Sequence, residues 1–153
     1  MNTLRRSFIR ATGRLALALA AGLLVPLRAL AGAWNQPGFD AKTLADALKS
    51  IGATTAVNSP DILVKAPEIA ENGAIVPIEV VSTIPNTRFI AILAEKNPFP
   101  LIGTFDLRDG AEGFVSTRVK LGQTSLVRVI VKTNDTVYSA TREVKVTIGG
   151  CGA

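Results

Sequence analysis

Histidine is absent from the 153-residue chain, cysteine occurs once, and the only methionine is Met1. Without histidine the chain lacks the commonest metal ligand and the commonest general base. A Ser-His-Asp triad is impossible, and there is no G-x-S-x-G elbow. No G-x-x-x-x-G-K-S/T loop is present to cradle phosphate. The acids are scattered, at positions 40, 46, 61, 68, 71, 79, 95, 106, 109, 112, 135 and 143. They read as solvated faces and turns, not as metal ligands or a catalytic pair. One cysteine cannot form an internal disulfide, so the fold must rest on its core. These absences point away from an enzyme and predict no cofactor and no bound metal. A metal chaperone is disfavoured for the same reason, the chain beyond residue 31 holding neither histidine nor methionine.

What is present begins with a basic segment, Arg5-Arg6-Ser7-Phe8-Ile9-Arg10. An apolar stretch from Leu15 to Leu27 follows, and then Ala29-Leu30-Ala31. Paired arginines before an apolar run and a small-residue cleavage pattern predict a twin-arginine export signal over residues 1–31. The apolar run is short for a span of about 20 residues, and Pro26 and Arg28 break its end. Gly32 is therefore the expected mature N-terminus and the periplasm the expected location.

The export signal also explains the charge. The whole chain has 17 Lys+Arg against 12 Asp+Glu. Five of the arginines (5, 6, 10, 14 and 28) fall in the signal, which has no acid. Subtracting, 17 − 5 leaves 12 against 12, a net charge of zero. No basic field remains to draw in nucleic acid or an anionic membrane. The remaining 153 − 31 = 122 residues suit one domain.

Gly32 to Gly38 reads as an extended lead-in, with Trp34 packing on a domain surface or a partner. Asp40 to Ile51 then predicts a helix. Its apolar residues Ala41, Leu44, Leu48 and Ile51 share a face, Asp40 is the expected N-cap and Gly52 the stop. Strands are predicted at Ile62–Lys65, Ile75–Thr83, Arg88–Ala94, Leu101–Asp106, Phe114–Leu121, Ser125–Lys132 and Val137–Ile148, with turn residues between them. Val127, Val129 and Val131 alternate with Arg128 and Lys132; Val144, Val146 and Ile148 alternate with Glu143, Lys145 and Thr147. Such alternation describes half-buried antiparallel strands. Seven strands with regular turns predict a mainly β fold, an immunoglobulin-like antiparallel β-sandwich with an N-terminal helix. Pro77 suits an edge or a bulge. Arg88, Arg108, Arg118, Arg128 and Arg142 read as surface strand positions, or as an anion site if the fold gathers them.

The remaining segment is Gly149-Gly150-Cys151-Gly152-Ala153. Five residues reach at most about 17 Å. Almost bare of side chains and free in its backbone angles, the segment reads as a thin, flexible arm. The expected organisation is signal 1–31, sandwich domain with its helix 32–148, and arm 149–153. A thiol on such an arm suits entry into a narrow pocket of another protein. A free thiol titrates near pH ~8.5, and nothing in the arm lowers that value. Activation then belongs to the receiving pocket. An intermolecular disulfide to another exported subunit is the alternative use of Cys151.

The chain resembles the SoxY family, the sulfur-carrier subunits of the Sox thiosulfate-oxidising system. The resemblance rests on the twin-arginine segment, on helix followed by β domain, on Pro67-Glu68-Ile69-Ala70-Glu71-Asn72-Gly73-Ala74-Ile75-Val76-Pro77, and on Gly149-Gly150-Cys151-Gly152. The family arm usually ends in glycine, where this chain has Ala153. The resemblance implies that Cys151 holds sulfur intermediates covalently and that Gly149, Gly150 and Gly152, with Ala153, form a swinging arm. It implies a heterodimer with a SoxZ-like subunit. It also implies service to a haem-containing thiosulfate-coupling enzyme, a manganese-dependent sulfate-releasing hydrolase and a sulfane dehydrogenase where one is present. Folded export by the twin-arginine route would let a signal-less partner travel with this chain.

Overall fold

The computed structural model describes residues 34–108 and 110–147. The expected signal, Asp109, Ile148 at the end of the last expected strand, and the arm residues Gly149, Gly150, Cys151, Gly152 and Ala153 lie outside them.

Among the described residues two short helices, α1 (Gln36–Phe39) and α2 (Leu44–Ser50), precede nine strands. These are β1 (Val57–Asn58), β2 (Ile62–Lys65), β3 (Ile69–Ala70), β4 (Val76–Ser82), β5 (Phe89–Ala94), β6 (Leu101–Asp106), β7 (Phe114–Val119), β8 (Ser125–Lys132) and β9 (Val137–Val146). One sheet runs β1-β9-β8-β5-β6, with β3 also beside β9; the other runs β2-β4-β7. All the longer strands pair antiparallel, and only the two-residue strands β1 and β3 run parallel to β9. The fold is the expected antiparallel β-sandwich of immunoglobulin type.

The core between the sheets is built mainly from β-branched residues. Val76, Ile78 and Val80 of β4 face Ile90 and Ile92 of β5 and Val127, Val129 and Val131 of β8. Stiff, branched side chains suit a pleated surface and lose little rotamer freedom there.

The second face of the large sheet differs from its sequence reading. Arg128 and Lys132 share that face with Ile130, which is fully buried. Ile130, Ala91, Leu93 and Leu101 pack under Ala41, Ala47, Ile51 and Ala53 of the helical segment. β8 is therefore covered on both sides, not half-buried. Arg128 is held by Glu95 at 2.7 Å, more than a surface position. Lys132 donates to the Ile51 carbonyl, and its ammonium lies 4.7 Å from the centre of the Phe89 ring. Burial pushes the Lys132 pKa down, and the Asp106 carboxylate partly opposes that shift.

The single helix expected over Asp40–Ile51 is instead two, and the extended lead-in holds the first. Asn35 caps α1 by accepting from Gly38 N at 3.2 Å, and Pro37 sits in its first turn. Asp40 ends that helix instead of starting one. Thr43, in extended backbone, is the real N-cap of α2, accepting from Asp46 N at 3.1 Å. Gly52 follows with φ +60°, the left-handed angle that glycine adopts without strain.

Pro77 lies in the middle strand of the small sheet. β2, however, ends with Lys65 opposite Glu79, so at Pro77 only β7 runs alongside. The proline occupies a local edge. Trp34 is 68 % exposed.

Candidate functional site

The five residues expected to form the site lie outside the described residues. The structure does describe the base from which they extend. β9 pairs with β8 as far as Val144, opposite Ser125. Its next two residues, Lys145 and Val146, pair with Ile69 and Ala70 of β3. Lys145 N donates to Glu68 O at 2.9 Å, and Thr147 N to Ala70 O at 3.2 Å. On the other flank Val146 N donates to Thr124 Oγ1 at 3.0 Å. The chain thus has bonded neighbours on both flanks as far as Val146, and Thr147 is bonded to Ala70. The exposed Lys145–Glu68 ion pair at 3.7 Å adds little to this.

Two further residues fix the base, and the sequence reading did not single out either. Gly73 lies so close to its neighbours that a Cβ there would meet Leu121 O at 2.3 Å and Val146 Cγ1 at 2.9 Å. Leu121 N donates to Gly73 O at 2.7 Å. No side chain fits between them. Asn97 clamps the adjoining loop, donating to Lys120 O at 2.8 Å and accepting from Gly122 N at 3.2 Å. Both lie between predicted strands, where the sequence reads only as turn. Their use depends on neighbours far along the chain.

Ile69 and Ile75 flank this base and are 56 % and 59 % exposed. An open groove of about 330 Å³ lies where β2 stops, lined by Ala66, Pro67, Pro77, Ile78 and Ser116, with Lys65 and Glu79 at its side.

The five arginines do not gather. Arg88 and Arg108 line one cavity of about 190 Å³ with Asn86 and Thr87, at the opposite end of the sandwich. Arg118 pairs across from Pro77, Arg128 is bound to Glu95, and Arg142 lies across from Val127. Among the described residues no group of three or more Asp, Glu, His or Cys could hold a metal ion. No described helix is long and apolar enough to cross a membrane.

The family described as sulfur oxidation protein SoxY matches residues 48–151, from within α2 to Cys151. The chain belongs to the SoxY family. A solved structure, the sulfur carrier protein SoxY from Chlorobium limicola f thiosulfatophilum, is similar at 38 % identity with a TM-score of 0.63. That likeness covers 69 % of this chain and 97 % of the other. An engineered protein gives a TM-score of 0.42 at 16 % identity, over 59 % of this chain and 20 % of its own, and carries no argument. Among curated proteins none matches significantly. Membership of the SoxY family places the chain among proteins of sulfur oxidation, and the similar solved protein is a sulfur carrier by its title.

Proposed function

We propose that the chain is a periplasmic sulfur carrier of thiosulfate oxidation, holding intermediates covalently on Cys151 while other proteins perform the chemistry. The observation that carries this reading is the extent of the family match, which runs through to the chain's only cysteine. The 38 % identical sulfur carrier adds to it.

In this reading Gly149, Gly150 and Gly152, with Ala153, form the swinging arm. Cys151 lies four positions beyond Thr147, the last described residue, a reach of at most about 14 Å. The fixed base and the reach together set how deeply the thiol enters a receiving pocket. In the first step the Cys151 thiolate and the sulfane sulfur of thiosulfate form an S–S bond, and two electrons pass to a haem-containing coupling enzyme. In the second, water attacks the terminal sulfonate in a manganese-dependent hydrolase, sulfate leaves, and a persulfide stays on Cys151. A sulfane dehydrogenase, where present, oxidises that persulfide. A SoxZ-like subunit completes the carrier as a heterodimer. Export as a folded protein follows from the Arg5-Arg6 segment.

Intact-mass measurement of the exported carrier, incubated with thiosulfate and its partner enzymes, tests the proposal. Adducts that reductant removes and that Cys151→Ser abolishes are expected. A stable cross-linked dimer without sulfur adducts would sink it.

A further inference from the structure

Beyond Val144, strand β9 runs past the end of β8, whose first residue is Ser125. Toward β3 the hold is backbone pairing, with Lys145 N donating to Glu68 O and Thr147 N to Ala70 O. On the opposite flank Val146 N donates to Thr124 Oγ1 at 3.0 Å. A side-chain hydroxyl thus stands where a continued β8 would offer a carbonyl. The loop that carries it is itself pinned. On one side of Thr124, Asn97 spans Lys120 O and Gly122 N, and Gln123 Nε2 donates to Lys96 O at 3.2 Å. On the other, Lys96 N donates to Ser125 Oγ at 3.1 Å. The Val146 side chain packs on the inter-sheet core, close against the bare backbone of Gly73.

The two flanks differ in kind. Backbone pairing is not removed by changing one side chain, whereas the hold by Thr124 is a single hydroxyl. We infer that Thr124 is a positioning residue for the carrier arm: its hydroxyl fixes Val146 and so sets where the arm begins. The inference rests on the carrier reading given above. Without that hydroxyl, β9 beyond Val144 keeps its pairing to the two residues of β3. Opening there moves the start of the arm from Thr147 back to Val144. The stretch to Cys151 then grows from 151 − 147 = 4 positions to 151 − 144 = 7. The added reach is about 10 Å. A longer tether presents its thiol less often to a pocket of fixed depth. Effective concentration falls roughly as the −3/2 power of tether length, here about twofold.

The test compares two variants of the exported carrier, co-produced with its partner subunit. Thr124→Val keeps the shape and loses the hydroxyl; Thr124→Ser keeps the hydroxyl. In Thr124→Val, hydrogen exchange at Val146 and Thr147 should quicken about fivefold, the effect of one hydrogen bond of ordinary net strength. The β8 amides should be unchanged. With the sulfonate-loaded carrier as substrate, sulfate release by the hydrolase should show kcat lowered about twofold and KM unchanged. Partial unfolding alone would do the reverse, because less competent substrate raises the apparent KM and spares kcat. Thr124→Ser should match the wild type in both measurements. Unchanged exchange at Val146, an unchanged kcat, or a loss that Thr124→Ser shares overturns the assignment. If the wild-type carrier takes up no sulfur adduct, the carrier reading itself falls, whatever the exchange shows.

Discussion

Strand β5 sends Ile90 and Ile92 toward the small sheet and Ala91 and Leu93 toward the helices, and all four are fully buried. The layers they enter are built differently. The inter-sheet layer is closed by strands and filled with valine and isoleucine. Half of the buried residues in the helical layer are alanines, Ala41, Ala47, Ala53 and Ala91, inside a half-buried rim of Phe39, Leu44 and Leu48. Small residues let the helical segment sit close, but they bury little surface each. Polar ties make up part of the difference, through Asn35 to Ser50 O, Thr43 at the N-cap, and Lys132 to Ile51 O. The helical segment is therefore expected to open locally before the sandwich does.

Neighbouring substitutions can break that contrast. Ile92→Ala should cost about 4 kcal/mol in denaturant unfolding, because the strand-walled core cannot collapse onto the cavity. Leu93→Ala, one residue on, should cost nearer 2 kcal/mol, because the helices can settle inward. Equal costs would show the two layers to be equally rigid. Thr43→Ala should cost about 1 kcal/mol through loss of the cap. Its mark in hydrogen exchange should be faster α2 amides with β8 amides unchanged. The smallest effect concerns pH. The folded Lys132 has a pKa below its ordinary 10.5, so the unfolded chain binds that proton more readily. Stability from this group then rises as the pH climbs toward 10.5. Lys132→Met should flatten that alkaline slope in unfolding measured across the range.

The strands β2, β6 and β8 were legible to the residue, because turn residues bounded a short apolar run or, in β8, an alternating one. The helix was misdivided for a physical reason. Ala41 lies outside α2 yet is buried with it, so the apolar spacing runs unbroken across a backbone that is not continuous helix. β1 and β3 carried no signal, since two residues cannot show a period and only β9 holds them. Ile130 was hidden because its strand neighbours Arg128 and Lys132 look solvated. They are instead tied to Glu95 and Ile51. For the candidate site, the arm stood out through scarcity, one thiol among glycines. Its base did not, because Gly73, Asn97 and Thr124 act on residues distant in sequence.

The hold on β9 also has a mechanical side. A chain drawn into a tight pocket and then withdrawn pulls on the last strand along its own axis. β9 pairs with β8 from Val137 to Val144, and β3 takes over at Lys145 and Val146. Ladder hydrogen bonds lie across the strands, so an axial pull shears many of them together instead of peeling them singly. The stagger between β8 and β3 hands the strand from one neighbour to the other, with Val146 also bonded to Thr124. In the carrier role proposed above, that load would enter β9 where its hydrogen bonds pass from β8 to β3.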